Sequence, residues 1–482
     1  MNIHAVFILL ARLLLWGGLL LILPLIVAIY YGESLMPFLW TMILAFLPAV
    51  ILHRQRHVEP RLTIKDSIAV TALAWISVSF IYLFPYVWSG VLTPLSAWTE
   101  SVSGLTGTGA TVFADLNQVP KSLLFFRSLT HWIGGLGIIV VFMALFPPSG
   151  KEMTPMMSEE STGPTSYRTV PRIKEMAKAL FKVYFCLTAL AGLIFFLLGM
   201  TPFDAINHSM SAIATGGFST HNESVAYYNN GWLKIAILFF MVISAANFGL
   251  YVAAWKRDRW ILFKDREFRV FLLLWIGASL LIFLNLMMSG ILSGEKALIE
   301  AFFTTGSVAS TTGFVSADFD NWPAFSRFLL LLLMIIGGCG GSTSGGLKVT
   351  RLILLVESVY MTLRQRIHPE EVRMIKIGDT TYRTNTLLPI FGFFFFYIGA
   401  IFICALLLTV DGYISISDAL GLSIAAMSNT GPALGQFGAT CNWADMSAYT
   451  KIIISTAMLL GRLESFTLLA ICFPSFWKKS RW

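Results

Sequence analysis

The chain has 482 residues, of which 56% are hydrophobic and only 12% charged, and its mean hydropathy is +0.74. A soluble protein carries about twice this charged fraction, and predominantly apolar runs of about 18 residues or more recur, so the composition excludes a soluble globular protein and predicts a polytopic helical membrane protein. The net charge of +8 comes from short basic loops between the apolar runs, which fits membrane topology better than nucleic-acid binding. The five cysteines form no disulfide or metal-ligand pattern.

In chain order, the apolar runs predict ten membrane spans. Two come first, at about 7–31 and 35–53. The other eight form four pairs, at 67–88 with 124–147, 177–200 with 232–254, 270–292 with 325–357, and 386–410 with 450–475. The chain therefore divides into two leading helices and four repeated units, with boundaries at 1–60, 61–150, 151–258, 259–368 and 369–482.

The two spans of each unit are separated by a segment that is too short and too polar to cross a membrane, such as 201–217 and 415–431. Each segment offers about three helical turns followed by a glycine. Pro202 suits a first helical turn, and Asp204 and Asp418 suit an N-terminal turn, where the helix dipole favours an anion. We therefore predict an all-α fold in which four helix–pore loop–helix repeats surround one pore with pseudo-fourfold symmetry.

Each of these segments ends in a short motif of two mostly polar residues and a glycine. An ion that leaves water needs oxygen ligands, and the carbonyl groups of an extended glycine-containing loop can supply them. A single such motif would be a simple turn, but four copies at equivalent positions predict an ion filter. The candidate filter residues are Gly107, Thr108, Gly109, Thr215, Gly216, Gly217, Thr311, Thr312, Gly313, Asn429, Thr430 and Gly431.

The charges predict which way the motifs face. Most lysines and arginines lie in the loops 54–65, 148–178, 255–269, 348–383 and 476–482. The four segments that carry the motifs hold a single base, Lys296, and many carboxylates. By the positive-inside rule the motifs face outward and both termini are cytoplasmic. That rule accounts for the missing bases but not for the carboxylates, which predict an acidic outer mouth that concentrates cations.

A glycine-rich tract interrupts the span 325–357. Six glycines would each cost about 1 kcal/mol relative to alanine in a continuous helix, so the tract is either a close-packing kink or an intramembrane loop that obstructs the pore below the filter. Its spacing resembles a phosphate-binding loop, but Leu347 precedes Lys348 and Val349 replaces the usual Ser or Thr. The candidate gate residues are Gly337, Gly338, Gly340, Gly341, Gly345 and Gly346.

Arg462 is a charge within the last span, and such a charge needs a cavity or a partner. Glu464 is two residues away, and residues two apart on a helix face different directions. Arg462 is therefore either paired with another helix or placed near the glycine tract, as an electrostatic barrier to cations. Asn247 and Lys348 are weaker candidates for the same region, while Arg127, at the start of a span, is expected to extend to the membrane interface.

Several sequence motifs resemble the Trk/Ktr superfamily of bacterial potassium transporters, closest to its TrkH/TrkG branch. The residues that carry the match are SGLTGTGATVF (103–113), ATGGFSTHNES (214–224), STTGFVSADF (310–319), SNTGPALG (428–435), HWIGGLGIIV (131–140), IGGCGGSTSGGLKVTR (336–351) and LGRLESFTLL (460–469). Two departures are Gly107, where the family often has Thr, and the residues after the filter glycine, which are Ala110 and Pro432 in two units but phenylalanine in the others.

The resemblance implies K⁺ uptake through a channel-like pore in the bacterial inner membrane, with the third residue of each motif as the filter glycine. It further implies that K⁺ is the permeant ion, without a covalently bound cofactor. The implied partners are a second copy of the chain in a homodimer, membrane lipid, and a cytosolic nucleotide-binding regulatory subunit of the TrkA type. No nucleic-acid partner is expected.

Three alternatives remain at this level. The nearest is a Na⁺-dependent Ktr-type subunit, against which the two leading spans argue. A proton-coupled solute carrier would need carboxylates at mid-span, where the sequence supplies almost none beyond Glu464. A membrane enzyme would need a cluster of His, Cys or carboxylate groups, and the seven histidines are dispersed along the chain.

Overall fold

The computed structural model describes residues 2–52, 63–137, 173–256, 258–368, 375–377, 380–382, 384–463 and 466–477. Almost all the regular structure in these ranges is helical, which confirms the predicted all-α class. The exception is a small antiparallel hairpin in which Ile375–Ile377 pairs with Thr380–Tyr382. The hairpin lies near the start of the fourth unit, away from the candidate filter in the sequence.

The leading helices pack against the first helix of the first unit. Ile3–Leu20 and Ile22–Tyr31 form one apolar stretch, and Met36–Leu52 follows it. The next helix, Ile64–Tyr82, begins with a capping box between Thr63 and Asp66. The Tyr82 hydroxyl donates a hydrogen bond of 3.0 Å to the Gly17 carbonyl, which joins the leading helices to the first unit.

The first helix of each unit is continuous and long enough to cross a membrane. These helices are Ile64–Tyr82 with its extension Phe84–Trp88, Ile173–Leu197, Arg266–Ser289 and Thr384–Leu408. Large apolar side chains on them are exposed, among them Leu197, Leu273 and Phe395. An apolar exterior of this extent suits contact with lipid.

The second helices of the units are short or broken. They are Lys121–Leu136, Gly231–Ser244 with Phe248–Lys256, Ala324–Ile336 with Val349–Ile367, and Ala448–Arg462 with Phe466–Cys472 and Pro474–Trp477. In the described ranges, five stretches could cross a membrane unbroken, or six if the bent pair Gly231–Ser244 and Phe248–Trp255 is one span. The stretch 232–254, predicted as a single span, is instead bent by 89° between Gly231–Ser244 and Phe248–Trp255.

The bend frees backbone carbonyl and amide groups from the helix. These groups form hydrogen bonds elsewhere in the protein, which explains why the bend is stable. The carbonyl of Ala245 accepts a hydrogen bond of 2.9 Å from the Cys339 amide, and the Phe248 amide donates one of 3.1 Å to the Gly341 carbonyl. The Asn247 side chain accepts the amide of Gly249 at 2.8 Å. Broken backbone at membrane depth persists only where such partners exist, so the broken helix and the glycine tract stabilise each other.

Candidate functional site

Four short helices lie between the spans of the units, where the sequence predicts pore helices. They are Pro94–Thr106, Pro202–Ile213, Gly294–Ala309 and Ile416–Ser428. Each follows a Ser or Thr with extended backbone, a residue type that caps helix N-termini. In two of them the hydroxyl of the cap residue accepts a hydrogen bond from a backbone amide. Thr201 accepts it from Asp204 at 3.1 Å, and Ser415 accepts it from Asp418 at 3.2 Å. The negative ends of all four helix dipoles thus lead directly into the candidate filter motifs.

The four motifs share one backbone conformation, in which the first and third residues have positive φ. The third residue is always glycine, with φ between 80° and 94°. At the first position φ is 71° in Gly107, 51° in Thr215, 54° in Thr311 and 55° in Asn429. A β-branched residue in this region is an outlier that costs about 1–3 kcal/mol, so the recurrence of this strain points to a functional loop. Gly107 takes the same conformation without that cost, which explains its departure from the family pattern.

The four motifs contact one another in a closed ring. A β-carbon added to the third residue of any motif would overlap a carbonyl oxygen of the next motif. The pairs are Gly109 with Gly216, Gly217 with Thr312, Gly313 with Thr430, and Gly431 with Thr108. The last pair returns to the first motif, so one chain surrounds a single axis, and each contact needs glycine.

A second layer of hydrogen bonds follows the same cyclic order beyond the motifs. The four links are Asn222 with Asp115 at 2.7 Å, the Ala226 amide with the Val315 carbonyl at 3.1 Å, the Gly435 amide with Asp320 at 2.9 Å, and the Trp443 amide with the Thr111 carbonyl at 2.8 Å. Each link joins one unit to the next, and the last joins the fourth unit to the first. Two independent layers therefore hold the ring together.

A buried ion pair connects the first pore helix to this ring. Arg127 is 1% exposed, and its Nε lies 2.6 Å from the carboxylate of Glu100. Arg127 also donates to the Ser219 carbonyl of the second unit at 3.2 Å. The expectation that Arg127 extends to the interface is wrong, because a buried carboxylate satisfies its charge inside the protein.

Other carboxylates of the outer segments are also engaged within the protein. Glu300 binds Lys234 at 2.7 Å and accepts the hydroxyl of Ser316. Asp204 accepts the Thr220 hydroxyl at 2.6 Å. Burial alone would raise the pKa of Asp204, but the His221 imidazole 3.5 Å away and hydrogen bonds from the hydroxyls of Thr220 and Thr201 outweigh it and hold the pKa below its usual range.

Three of the carboxylates expected at the acidic mouth have structural roles instead. Glu100, Asp204 and Glu300 tie the segments leaving the motifs to the pore helices and are not free to attract cations. Glu223, Glu295 and Asp445 do remain exposed.

The glycine tract lies against the motifs on the side where the pore helices end. The Thr343 hydroxyl makes hydrogen bonds of 3.1 Å with the Thr215 hydroxyl and the Ile213 carbonyl, and the Gly345 amide donates to the Thr311 hydroxyl at 2.7 Å. A β-carbon on Gly345 would overlap the Ser428 carbonyl. The tract thus contacts three of the four units directly at the exit of the ring.

The tract is anchored at both ends by one buried carboxylate. The Glu267 carboxylate accepts hydrogen bonds from the backbone amides of Gly340 at 2.6 Å and Thr350 at 3.0 Å. It also accepts one from the Thr350 hydroxyl. Lys348, with φ of 78°, donates its ammonium group to the Ser344 carbonyl. Glu267 was not predicted from the sequence, because its partners lie more than 70 residues away and no local pattern marks it.

Arg462 lies against the same tract. Its guanidinium donates to the Thr343 carbonyl at 2.7 Å and to the carbonyls of Gly134 at 2.6 Å and Gly135 at 2.9 Å. The structure thus brings Arg462 to the glycine tract, as one of the two sequence alternatives requires. Glu464 lies outside the described residues.

A ring of four glycine-containing loops inside a helical, apolar-surfaced fold is typical of a membrane transport protein. The family model for TrkH, described as a cation transport protein, matches residues 35–479, and the chain belongs to this family. Its members are transport proteins, in agreement with the prediction that the chain is not an enzyme.

Named relatives cover nearly the whole chain. The Trk system potassium uptake protein TrkH of Vibrio parahaemolyticus is 36% identical over 94% of this chain and 95% of its own length. The TrkH protein of Escherichia coli K12 is 34% identical over 97% of both chains. The crystal structure of the potassium transporter TrkH from Vibrio parahaemolyticus superposes with a TM-score of 0.89, covering 99% of this chain and 100% of that one at 34% identity.

Proposed function

We propose that this chain takes up K⁺ across the bacterial inner membrane through a channel-like pore. The closed ring of the four motifs carries this proposal, because it brings twelve backbone carbonyl groups of one polypeptide around a single axis. The filter residues are Gly107, Thr108, Gly109, Thr215, Gly216, Gly217, Thr311, Thr312, Gly313, Asn429, Thr430 and Gly431. The relatives that bear the name potassium uptake protein indicate K⁺ as the permeant ion.

In this mechanism the carbonyl oxygens of the ring replace the hydration shell of K⁺. The carboxyl ends of the four pore helices direct their negative dipole ends at the ion and favour its entry. The membrane potential drives uptake with about 2.3 kcal/mol per charge for each 100 mV. Because the middle residue is Thr in three motifs and Gly216 in the other, the walls are unequal, and we expect a graded preference for K⁺ over Na⁺.

We propose that the glycine tract is the gate of this pore. Its hydrogen bonds to Thr215 and Thr311 hold it across the exit of the ring. Arg462, bound to the tract at Thr343, adds a positive charge that opposes cation passage when the gate is closed. Glu267 acts as a latch, since the tract cannot move away without breaking the bonds of Gly340 or Thr350 to its carboxylate.

The remaining elements of the proposal concern assembly and orientation. Both termini lie in the cytoplasm, two copies form a homodimer with one pore each, and lipid surrounds the apolar exterior. A cytosolic TrkA-type nucleotide-binding subunit contacts the basic inner loops and controls the gate. The Trk system names of the relatives support a multi-component assembly.

The proposal is tested by measuring ion flux through the purified protein in liposomes, with K⁺, Rb⁺, Na⁺ and H⁺ gradients applied separately. We expect K⁺ and Rb⁺ to permeate faster than Na⁺, without a requirement for a Na⁺ or H⁺ gradient. A strict requirement for Na⁺ would favour a Ktr-type transporter, and movement that depends on H⁺ would favour a coupled carrier. Absence of any ion flux from folded protein would contradict the proposal.

A further inference from the structure

The second motif differs chemically from the other three. In the first, third and fourth motifs the middle residue is Thr, and its hydroxyl lies close to the hydroxyl of the residue just before the motif. The three pairs are Thr106 with Thr108 at 2.8 Å, Ser310 with Thr312 at 2.7 Å, and Ser428 with Thr430 at 2.7 Å. The second motif has Ala214 and Gly216 at these two positions and can form no such pair.

The imidazole of His131 occupies the place of the missing side chain. A β-carbon added to Gly216 would overlap the His131 ring, with Nδ1 as the nearest atom. The φ of Gly216 is not in the left-handed region, so His131 and not the backbone conformation is what excludes a side chain there. His131 comes from Lys121–Leu136 in the neighbouring unit and is fully buried.

Two further contacts fix the ring of His131 against the second motif. The imidazole stacks on Phe218, the residue after the filter glycine, with ring centroids 3.9 Å apart and planes 13° apart. Its Nδ1 lies 3.5 Å from the hydroxyl of Ser211. In the first and third units the equivalent serines, Ser103 and Ser307, instead donate to the carbonyl of the residue after the filter glycine.

We propose that His131 is a specificity-determining positioning residue for ion permeation. By filling the space beside Gly216, its imidazole holds the second filter loop at the distance from the axis that the threonine side chains set in the other three. The inference rests on the proposed filter function. Its physical basis is that Gly216 and Gly217 form the most permissive backbone pair in the ring, so a side chain packed against them from outside the motif further restricts their carbonyls.

The test is a swap of side chains across the contact, made in the full-length protein in liposomes. The variants are His131→Ala, Gly216→Thr and the double variant, and the K⁺/Na⁺ permeability ratio is measured for each. We expect His131→Ala to lower the ratio by roughly tenfold, which corresponds to about 1.4 kcal/mol. Gly216→Thr should reduce assembled protein or flux, because its side chain overlaps the imidazole. The double variant should recover most of the loss, because it gives the second motif the threonine of the others.

Two controls separate this inference from simpler explanations. Phe195 is also fully buried, but its ring packs on Phe240 of the second unit, so Phe195→Ala should leave the permeability ratio unchanged even if less protein assembles. Gly313→Ser tests the filter itself, since an unchanged ratio in that variant would reject the filter proposal and this inference with it. If Gly313→Ser lowers the ratio and His131→Ala does not, the inference alone is wrong.

The double variant decides the case in which His131→Ala fails to assemble. If the double variant assembles and prefers K⁺ over Na⁺ where His131→Ala alone does not assemble, the positioning role is supported. Losses in the double variant as large as the two single losses combined would overturn it.

Discussion

The filter ring and the glycine tract both leave helical geometry at membrane depth, but they satisfy their backbone groups differently. In the ring, the amide of the middle residue always donates to a carbonyl in its own pore helix, as Thr108 does to Ser103 at 3.0 Å and Thr312 to Ser307 at 2.8 Å. In the tract, several partners belong to other helices, such as Ala245 for Cys339 and Glu267 for Gly340. A loop bound to its own helix is fixed when that helix forms, whereas a loop bound to distant groups can exchange them.

This contrast supports a static role for the ring and a mobile role for the tract. It also explains why the ring tolerates strained residues such as Thr311, whose φ is 54°. The pore helix and the next loop determine that conformation together. Substitutions in the ring should therefore lower the K⁺/Na⁺ selectivity, whereas substitutions in the tract should raise the basal flux.

The largest effect is expected from Gly313→Ser. The glycine has φ of 80°, and a β-carbon would overlap the carbonyl of Thr430. The side chain would turn carbonyl groups off the axis, so K⁺ and Na⁺ should permeate at similar rates in this variant. Permeability ratios from liposome flux measure the change.

Gly290→Ser is the matched control for this substitution. Gly290 also has a left-handed φ, of 70°, but nothing lies within 4 Å of its missing β-carbon. This variant should cost about 1 kcal/mol of stability and leave selectivity intact. A wild-type ratio in assembled Gly313→Ser would contradict the filter assignment.

Deletion of residues 340–345 should have the next largest effect. It removes the proposed obstruction together with the carbonyl of Thr343 that binds Arg462. Basal K⁺ flux without a regulatory subunit should rise by more than about a hundredfold, a barrier change of about 2.7 kcal/mol, while the K⁺/Na⁺ ratio changes little. Protein that assembles but conducts nothing would show that the tract supports the ring and does not gate it.

The contrast between local and distant bonds also explains what could be predicted from sequence. The four short helices and the glycines that follow them were predictable, because a helix cap, three turns and a glycine form a local pattern that occurs four times. The pair of Arg127 with Glu100, the latch at Glu267 and the contact of His131 with Gly216 join residues from 27 to 85 positions apart. No local pattern specifies such pairs.

The bend between Ser244 and Phe248 was missed for a related reason. This stretch contains no proline, and its apolar residues suit a continuous span. The break becomes favourable only when the glycine tract provides hydrogen-bond partners for Ala245 and Phe248. Helix breaks that depend on a second irregular segment are thus tertiary features.

Arg462→Ala should raise basal flux by an intermediate amount. At roughly 6 Å and an effective dielectric constant of about 20, a guanidinium repels a passing K⁺ by about 3 kcal/mol. Its removal should speed permeation roughly tenfold to a hundredfold, allowing for screening by pore water. Arg462→Lys retains the charge and should resemble the wild type. Uptake rates normalised to membrane-inserted protein distinguish this from a structural role, in which Arg462→Ala loses flux or assembly because the hydrogen bonds to Thr343, Gly134 and Gly135 are lost.

The smallest effect is expected from Glu267→Gln, which weakens the latch without removing it. The amide oxygen of glutamine can still accept the amides of Gly340 and Thr350, but hydrogen bonds to a charged acceptor are worth about 1.5–3 kcal/mol, against about 0.5–1.5 for neutral ones. A net loss of about 1 kcal/mol in the closed state should raise basal flux by about fivefold. Glu267→Ala removes every bond to the carboxylate and should raise it further.

Glu357→Gln provides the control for this last prediction. Glu357 binds Arg266, the neighbour of Glu267, in a partly exposed ion pair, and pairs of this kind contribute little to stability. Basal flux should therefore stay at the wild-type level in that variant. If basal flux falls from wild type through Glu267→Gln to Glu267→Ala, the carboxylate supports the open pore. The tract would then resemble the ring, as a fixed part of the conduction path.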